Sequence, residues 1–288
     1  MQISCNVRAF LGVGLLLMLT KPASASPEAT ERAKKFLAGH ESRLRPLDVS
    51  SGLAWWNANI TGKDEDFKKK EDAQNKIDEA LASKENFAEL KAIKQLKDKG
   101  EVEDKVIARA IDVLYLMYLE KQVDPTLLKK ITSKANAVEQ KFNVFRAKVD
   151  GKELADSEVR EVLKKSSDSK RRQAVWEASK LVGADVEKDL KELVALRNEM
   201  AKQLGFKNFH ALMLFLSEQD GDELIKLFDD LDSLTREPFL KAKAEVDQKL
   251  AATVGKKPTD LMPWDYHDPF SKNRPPCSMP ISTNRSPR

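Results

Sequence analysis

The chain has 288 residues, with 50 basic and 46 acidic side chains and two cysteines. Residues 1–25 and 271–288 together hold six basic and no acidic residues, so the region between them has 44 basic and 46 acidic residues and gives no basic surface for nucleic acid. Both cysteines, Cys5 and Cys277, lie in these end segments, which excludes a disulfide framework from the region between them.

Residues 1–25 have the pattern of a secretory signal peptide. Arg8 supplies a positive charge, an apolar run extends from Ala9 to Leu19, and Ala23-Ser24-Ala25 matches a small-residue cleavage site. The apolar run is shorter than the roughly 20 residues that a membrane span needs. The sequence therefore predicts a secreted or periplasmic protein whose mature chain begins at Ser26, with no stable membrane span after cleavage.

Residues 26–270 are predicted to be helical almost throughout, without any run of strand-like alternation. In chain order, the first predicted features are a helix with two aromatic anchors, Trp55 and Trp56, and then a polar helix start at Asp64–Asp66. The latter lacks the ligand spacing and the glycine of a calcium loop. The charged run Lys68–Asp72 is interpreted as a solvated helix face, because clustered charges on helices are usually exposed.

Four further features complete the helical pattern. Apolar residues recur at helical spacing over 102–118, and Asp124-Pro125 has the residues of a helix start. A stripe over 186–204 ends at Gly205, and Asp220 begins a last long helix that includes Phe239. The sequence therefore predicts an all-α fold in which long antiparallel helices pack ridges into grooves.

Residues 271–288 form a third predicted segment, after the signal peptide and the helical region. They are rich in proline and serine and contain neither acidic nor aromatic residues, so we expect a disordered basic tail. The composition changes abruptly after Phe270. A shifted reading frame or a truncated gene would produce this change, as would a natural disordered tail, and the genomic sequence beyond codon 270 would distinguish them.

Three strings carry a resemblance to a known family. The longest is residues 176–212, which include Trp-Glu-Ala-Ser-Lys, Leu-Arg-Asn-Glu and Leu-Gly-Phe-Lys-Asn-Phe-His. The other two are residues 55–61, which end in Asn-Ile-Thr, and residues 264–270. Together they resemble the N-terminal half of the bacterial type of peptidyl-dipeptidase A, the angiotensin-converting-enzyme-like zinc peptidases. The resemblance implies a mostly helical, cleft-type peptidase in which this half supplies lid and wall, while zinc ligands and general base lie in the other half.

The three histidines do not form the zinc motif of that family. A catalytic zinc needs three protein ligands, and the family takes two of them from a His-Glu-x-x-His helix. His40-Glu41 begins such a motif, but the position four residues after His40 is Leu44. His210 lies in an apolar helix and His267 lies beside the change in composition. The sequence therefore assigns no catalytic, cofactor-binding or metal-ligating residue, and zinc is expected only for the full-length family member.

Three functions stay open. The first is a truncated relative of a zinc-dependent peptidyl-dipeptidase, an enzyme that releases C-terminal dipeptides from peptides, inactive alone because it stops before the zinc motif. The second is an active enzyme completed by a second polypeptide that carries that motif. The alternative from another class is a helical periplasmic binding or scaffold protein without peptidase activity. Whether this chain is an enzyme is therefore left open, and peptide substrates are expected only if the missing half completes it.

The apolar stripes also predict self-association. In the resembled enzymes this half packs against the rest of the domain, and monomeric proteins rarely expose apolar patches beyond a few hundred Å². We therefore expect exposed apolar helix faces, with residues 102–118 and 224–239 as the strongest candidates.

Overall fold

The computed structural model describes residues 26–267 and 269. The predicted signal peptide (1–25) and basic tail (271–288) lie outside the described residues. Within them the chain forms a two-stranded hairpin, two short 3-10 helices at Pro258–Asp260 and Pro263–Asp265, and ten α-helices. The helices are α1 (Pro27–Thr61), α2 (Asp64–Leu81), α3 (Lys84–Asp98), α4 (Lys105–Glu120), α5 (Pro125–Val144), α6 (Asp156–Lys165), α7 (Ser169–Lys180), α8 (Val182–Gln203), α9 (Phe209–Leu216) and α10 (Gly221–Val254).

The all-α prediction is confirmed, and aspartates begin several of the helices as predicted. The side chain of Asp124 accepts hydrogen bonds from the backbone N–H groups of Thr126 and Leu127 at 2.6 and 3.3 Å. These bonds hold the pKa of the Asp124 carboxyl below its usual range. Asp220 caps α10 in the same way. No helix among the described residues is long and apolar enough to cross a membrane.

The expectation that no strands occur is wrong for one short hairpin. Strands β1 (Ala147–Val149) and β2 (Lys152–Leu154) pair antiparallel, with Ala147 opposite Leu154. Asp150 and Gly151 connect them with φ values of 53° and 76°. A two-residue turn with both residues in the left-handed region suits the twist of a hairpin, and Asp-Gly is a favoured sequence for it. The strands have three residues each, too few to give a clear alternating pattern.

Helices α1, α3 and α4 enclose the first of three hydrophobic clusters. Leu90, Ile93, Ile111 and Tyr118 are fully buried there. The expectation of a free apolar face over residues 102–118 is therefore wrong for most of that segment, because its main apolar face packs into this cluster. Some apolar side chains on the other side of α4, such as Val106, are exposed.

The second cluster joins the hairpin, α6 and α7 to the chain around Trp264. Trp176 and Trp264, which belong to two of the family strings, meet edge to face with ring centroids 5.9 Å apart. Beside them Arg172 is 1 % exposed and donates to four backbone carbonyl oxygens. Three of these carbonyls belong to residues 264–266 and the fourth to Ser166. One buried side chain therefore holds the end of the described chain against α7.

The third cluster lies between α5, α8 and α9 and includes Leu128, Met200 and Leu212. Ion pairs on its edge reinforce the contact between α5 and α8. Lys134 and Lys141 donate to Asp189 at 2.8 and 2.7 Å and lower the pKa of its carboxyl to about 2. Helix α5 also packs against α2 on its other side, so α5 separates α2 from α8.

Helix α10 contrasts with the other helices because it has little tertiary contact. Its residues 225–241 are all exposed, and its buried residues are Leu250 and Ala251, near its end. Seven large apolar side chains on this helix are between 43 and 74 % exposed: Ile225, Leu227, Phe228, Leu231, Leu234, Phe239 and Leu240. The expected exposed apolar face over residues 224–239 is therefore present on α10.

Candidate functional site

A cavity of about 510 Å³ lies over α5, between α2 and α8. Its volume falls in the range of roughly 300–1,000 Å³ that is typical of small-molecule sites. Residues 70–78 form the α2 side, and four other parts of the chain complete the wall: the second half of α1 with Trp55, the end of α4 with Glu120, residue 121, and α9 with Phe209. The cavity lies where α5 holds two helices apart, so the packing of the fold itself forms it.

On the α2 side, Lys70 forms the centre of one polar network. Its ammonium donates to the carboxylate of Glu139 and, at 3.2 Å, to the side-chain oxygen of Asn136. Asn136 in turn donates to the carbonyl oxygen of Phe67 at 3.1 Å, and Asn59 donates to Glu139 at 3.4 Å. The charge of Lys70 is therefore neutralised within the protein.

Asp78 forms a second network in the same wall. It is 5 % exposed, and its carboxylate accepts hydrogen bonds from Thr132 at 3.0 Å and from Gln74 at 3.2 Å. Lys121 lies 3.2 Å from the same carboxylate and neutralises its charge. A buried carboxylate needs such partners, because leaving it unpaired costs several kcal/mol.

On the α8 side, Arg197 has no such partner. Its guanidinium carbon lies 5.1 Å from the centre of the Phe209 ring, which is a cation–π contact. The neighbouring Asn198 accepts a hydrogen bond from the backbone N–H of Phe209 at 2.9 Å and so fixes the ring beside Arg197. Among the residues that the structure describes, none forms a hydrogen bond or ion pair with the side chain of Arg197, and its guanidinium nitrogens reach solvent. Arg197 is therefore a cation that borders a cavity and has free donors.

Two carboxylates on the opposite wall are weakly paired. Glu71 lies 3.5 Å from the ammonium of Lys68, and Glu120 lies 3.4 Å from that of Lys121. Lys121 is shared with the buried Asp78 and lies closer to it. The cavity therefore presents one unpaired cation on the α8 side and two loosely paired anions on the α2 and α4 side.

The histidines do not fit a zinc site. Within residues 26–267 and 269, no group of three or more histidine, cysteine, aspartate or glutamate side chains could hold a metal ion. His40 lies beside the first cluster with its Nδ1 atom 3.1 Å from the hydroxyl of Tyr118, and burial lowers its pKa. His210 is exposed on α9, and His267 follows the second 3-10 helix. The three side chains therefore lie on separate parts of the fold.

Sequence reasoning missed most of the residues that line the cavity. The interpretation of Lys68–Asp72 as a solvated face is wrong for two of its members, since the side chains of Lys70 and Glu71 are only 14 and 17 % exposed and line the cavity. The prediction that Trp55 and Trp56 act as aromatic anchors is also wrong, because these residues are 49 and 60 % exposed. Arg197 occurs within a family string, but an arginine next to an asparagine gives no signal of its own.

A protein-family model described as angiotensin-converting enzyme, a peptidase family, matches residues 27–259, which is most of the chain. No curated protein sequence matches it. The matched span includes all ten α-helices, the hairpin and all of the residues that line the cavity over α5.

Proposed function

The chain belongs to the angiotensin-converting enzyme family of peptidases, and from this we propose that it supplies helical scaffold to a zinc-dependent peptidyl-dipeptidase. The family match over residues 27–259 is the observation that carries the proposal. In enzymes of this class, a bound zinc ion activates the water that attacks the peptide bond and polarises the carbonyl group.

The described residues of this chain do not fit the zinc ion, so we assign them no step of hydrolysis. The sequence contains no His-Glu-x-x-His motif, and the histidines are dispersed. We propose that the chain forms wall and lid of a substrate cleft, and that the ligands of the zinc ion belong to other polypeptide sequence. On its own, the chain would then be inactive toward peptides.

We expect the purified chain to retain substoichiometric zinc after dialysis and to release no dipeptide from a peptide with a free C-terminus. A catalytic zinc needs three protein ligands, which the described residues do not bring together. Metal analysis and a dipeptide-release assay test both parts. The matched control carries His40→Ala, His210→Ala and His267→Ala. One tightly held zinc ion per chain that is lost in this triple variant would contradict the proposal.

We also propose that the protein is exported, which the pattern of residues 1–25 supports. The exported protein is expected to begin at Ser26, after the Ala23-Ser24-Ala25 site, because signal peptidases cleave after small residues. N-terminal sequencing of the protein from the extracytoplasmic fraction measures this directly. A product that begins at Met1 would overturn the proposal, and a variant with Ala25→Trp, which should block cleavage, is the control.

A binding protein without peptidase activity is the second candidate function. The observation that favours it is the unpaired Arg197 at the edge of a cavity of about 510 Å³. This function needs no metal ion and no residue outside the described part of the chain.

A further inference from the structure

We propose that Asp150, in the turn between β1 and β2, is a site of spontaneous isomerisation to isoaspartate, through attack by the backbone nitrogen of Gly151. The chain contains two Asp-Gly pairs, Asp150-Gly151 and Asp220-Gly221. Asp-Gly is the sequence in which this reaction is least hindered, because glycine has no Cβ to obstruct the approach of its nitrogen. The fold exposes the first pair and holds the second, and so directs the modification to residue 150. The modification is independent of the peptidase function proposed above.

The reaction balances with water alone. The nitrogen of Gly151 forms a bond to Cγ of Asp150 and loses its proton, while one carboxyl oxygen leaves as water and a succinimide ring closes. A water molecule then opens the ring at either carbonyl group. Opening at Cγ restores aspartate, whereas opening at the backbone carbonyl carbon leaves Gly151 joined through Cγ, which is isoaspartate. No oxidant, reductant or enzyme is needed.

The turn leaves both reacting groups accessible. The side chain of Asp150 is 84 % exposed, and it pairs with Arg171 at 3.1 Å, which is itself 39 % exposed. An exposed ion pair of this kind contributes little, so it does not hold the carboxyl group in place. The backbone groups of Asp150 and Gly151 form no hydrogen bond with any described residue, and nothing lies within 4 Å of the position that a Cβ on Gly151 would take. The carboxyl group and the nitrogen can therefore rotate toward each other without losing a backbone hydrogen bond of their own.

The second pair is held by the start of α10. Asp220 is the N-cap residue, and its carboxylate accepts hydrogen bonds from the backbone N–H groups of Asp222 and Glu223, both at 2.9 Å. Its backbone carbonyl oxygen also accepts from the N–H of Leu224 at 3.0 Å. Gly221 is the first residue of the helix. Rotation of Asp220 toward the nitrogen of Gly221 would therefore break the cap and open the first turn of α10.

Isoaspartate at residue 150 weakens the hairpin. Its side-chain methylene becomes part of the backbone, so the connection between Val149 and Lys152 lengthens by one atom. These two residues pair across the two-residue turn, and tight turns of this kind fix the register of the strands. The strands supply Ala147, Val149 and Leu154 to the second cluster. The modification should therefore loosen that cluster from the side of the hairpin.

Ageing of the full chain tests the proposal. The folded chain is kept for several weeks in mildly acidic buffer at physiological temperature, in parallel with the chain in denaturant. After digestion, chromatography separates the isomeric peptides and electron-transfer fragmentation identifies isoaspartate. In the folded chain we expect isoaspartate to form at residue 150 at least about fivefold faster than at residue 220, because a helix cap must open first at residue 220. In denaturant, where no fold distinguishes the two pairs, we expect similar rates.

Asp150→Asn and Asp150→Glu are the matched variants, and circular dichroism before ageing verifies that each is folded. Asparagine reaches the same succinimide with loss of ammonia in place of water, and Asn-Gly suits the same turn, so this variant should give isoaspartate sooner than the parent. Glutamate keeps the charge but would have to close a larger ring, so no isomer should form at this position. The aged parent should unfold at a lower denaturant concentration than the aged Asp150→Glu chain, which carries every other effect of ageing.

The proposal fails on any of three results. The first is that, in the folded chain, isoaspartate forms at residue 220 as fast as at residue 150. The second is that residue 150 remains aspartate in the folded chain while both pairs isomerise in denaturant. The third is that the parent has isomerised at residue 150 and still unfolds at the midpoint of the aged Asp150→Glu chain, which would overturn the weakening of the hairpin.

Discussion

Replacing Arg172 with methionine is expected to lower the free energy of unfolding by about 2–4 kcal/mol. The substitution keeps much of the side-chain volume but removes all four hydrogen bonds to carbonyl oxygens, at 2.7 to 2.9 Å. The carbonyl groups of residues 264–266 and of Ser166 then lose their donor in a region where water has little access. Each unpaired buried acceptor costs free energy, and together these costs outweigh the gain from removing a buried charge.

Chemical denaturation monitored by tryptophan fluorescence measures this effect, since Trp176 and Trp264 separate when residues 264–266 leave α7. The matched control is Arg171→Met, the preceding residue, whose side chain is 39 % exposed and pairs with Asp150 at 3.1 Å. Surface ion pairs contribute little, so the control should change stability by less than about 1 kcal/mol. Equal unfolding midpoints for the two variants would contradict the prediction.

The second large effect is expected at α10, where we expect the chain to form an antiparallel pair with a second copy of itself. Residues 220–232 hold six acidic and one basic side chain, while residues 236–254 of α10 hold four basic and three acidic ones. An antiparallel arrangement of two α10 helices therefore sets each acidic half against a half with a small net positive charge, whereas a parallel arrangement sets the two acidic halves against each other. It also covers leucine and phenylalanine side chains that are otherwise 43 to 74 % exposed. A symmetric pair of this kind uses the same surface on both copies.

Leu227→Asp and Leu231→Asp are each expected to weaken this association about tenfold or more, because each loses roughly 1.5–3 kcal/mol of apolar burial. Analytical ultracentrifugation over a range of concentrations measures the dissociation constant. Val106→Asp is the control, since Val106 is 77 % exposed on α4 and lies outside α10. Added salt should weaken the pair if the opposite charges contribute. A parent chain that stays monomeric throughout the range would refute the expectation.

The fold was largely predictable from the sequence because most of its signals are local. Asp124 and Asp220 mark helix starts through short hydrogen bonds to the next turn, which depend on nearby residues alone. The hairpin was missed although Asp150-Gly151 is a recognised turn sequence, because three-residue strands carry almost no periodicity. The length and the capping residues of a helix can be recognised in the sequence, whereas a three-residue strand is too short for an alternation of apolar and polar residues to be recognised.

The cavity could not be predicted because it depends on which helix faces meet. Lys68, Lys70 and Glu71 belong to one charged run, but only the latter two point toward α5. Sequence spacing gives relative directions around a helix and not the direction of the neighbouring helix. Likewise, the sequence cannot show that the guanidinium of Arg197 is unpaired, because this depends on whether the fold brings a carboxylate from another part of the chain close to it.

The three hydrophobic clusters also imply an order of events during synthesis. The residues of the first cluster lie between Ala29 and Leu119, so this part can collapse while the later helices are still being translated. The second cluster forms later, because residues 145–178 pack against Trp264 and Arg172 binds carbonyl groups close to it in the chain. Those residues are translated about ninety positions after Arg172. That contact closes a loop of about ninety residues, and long-range contacts form slowly. The nascent chain would therefore carry an early-folding N-terminal part and a middle part that is completed last.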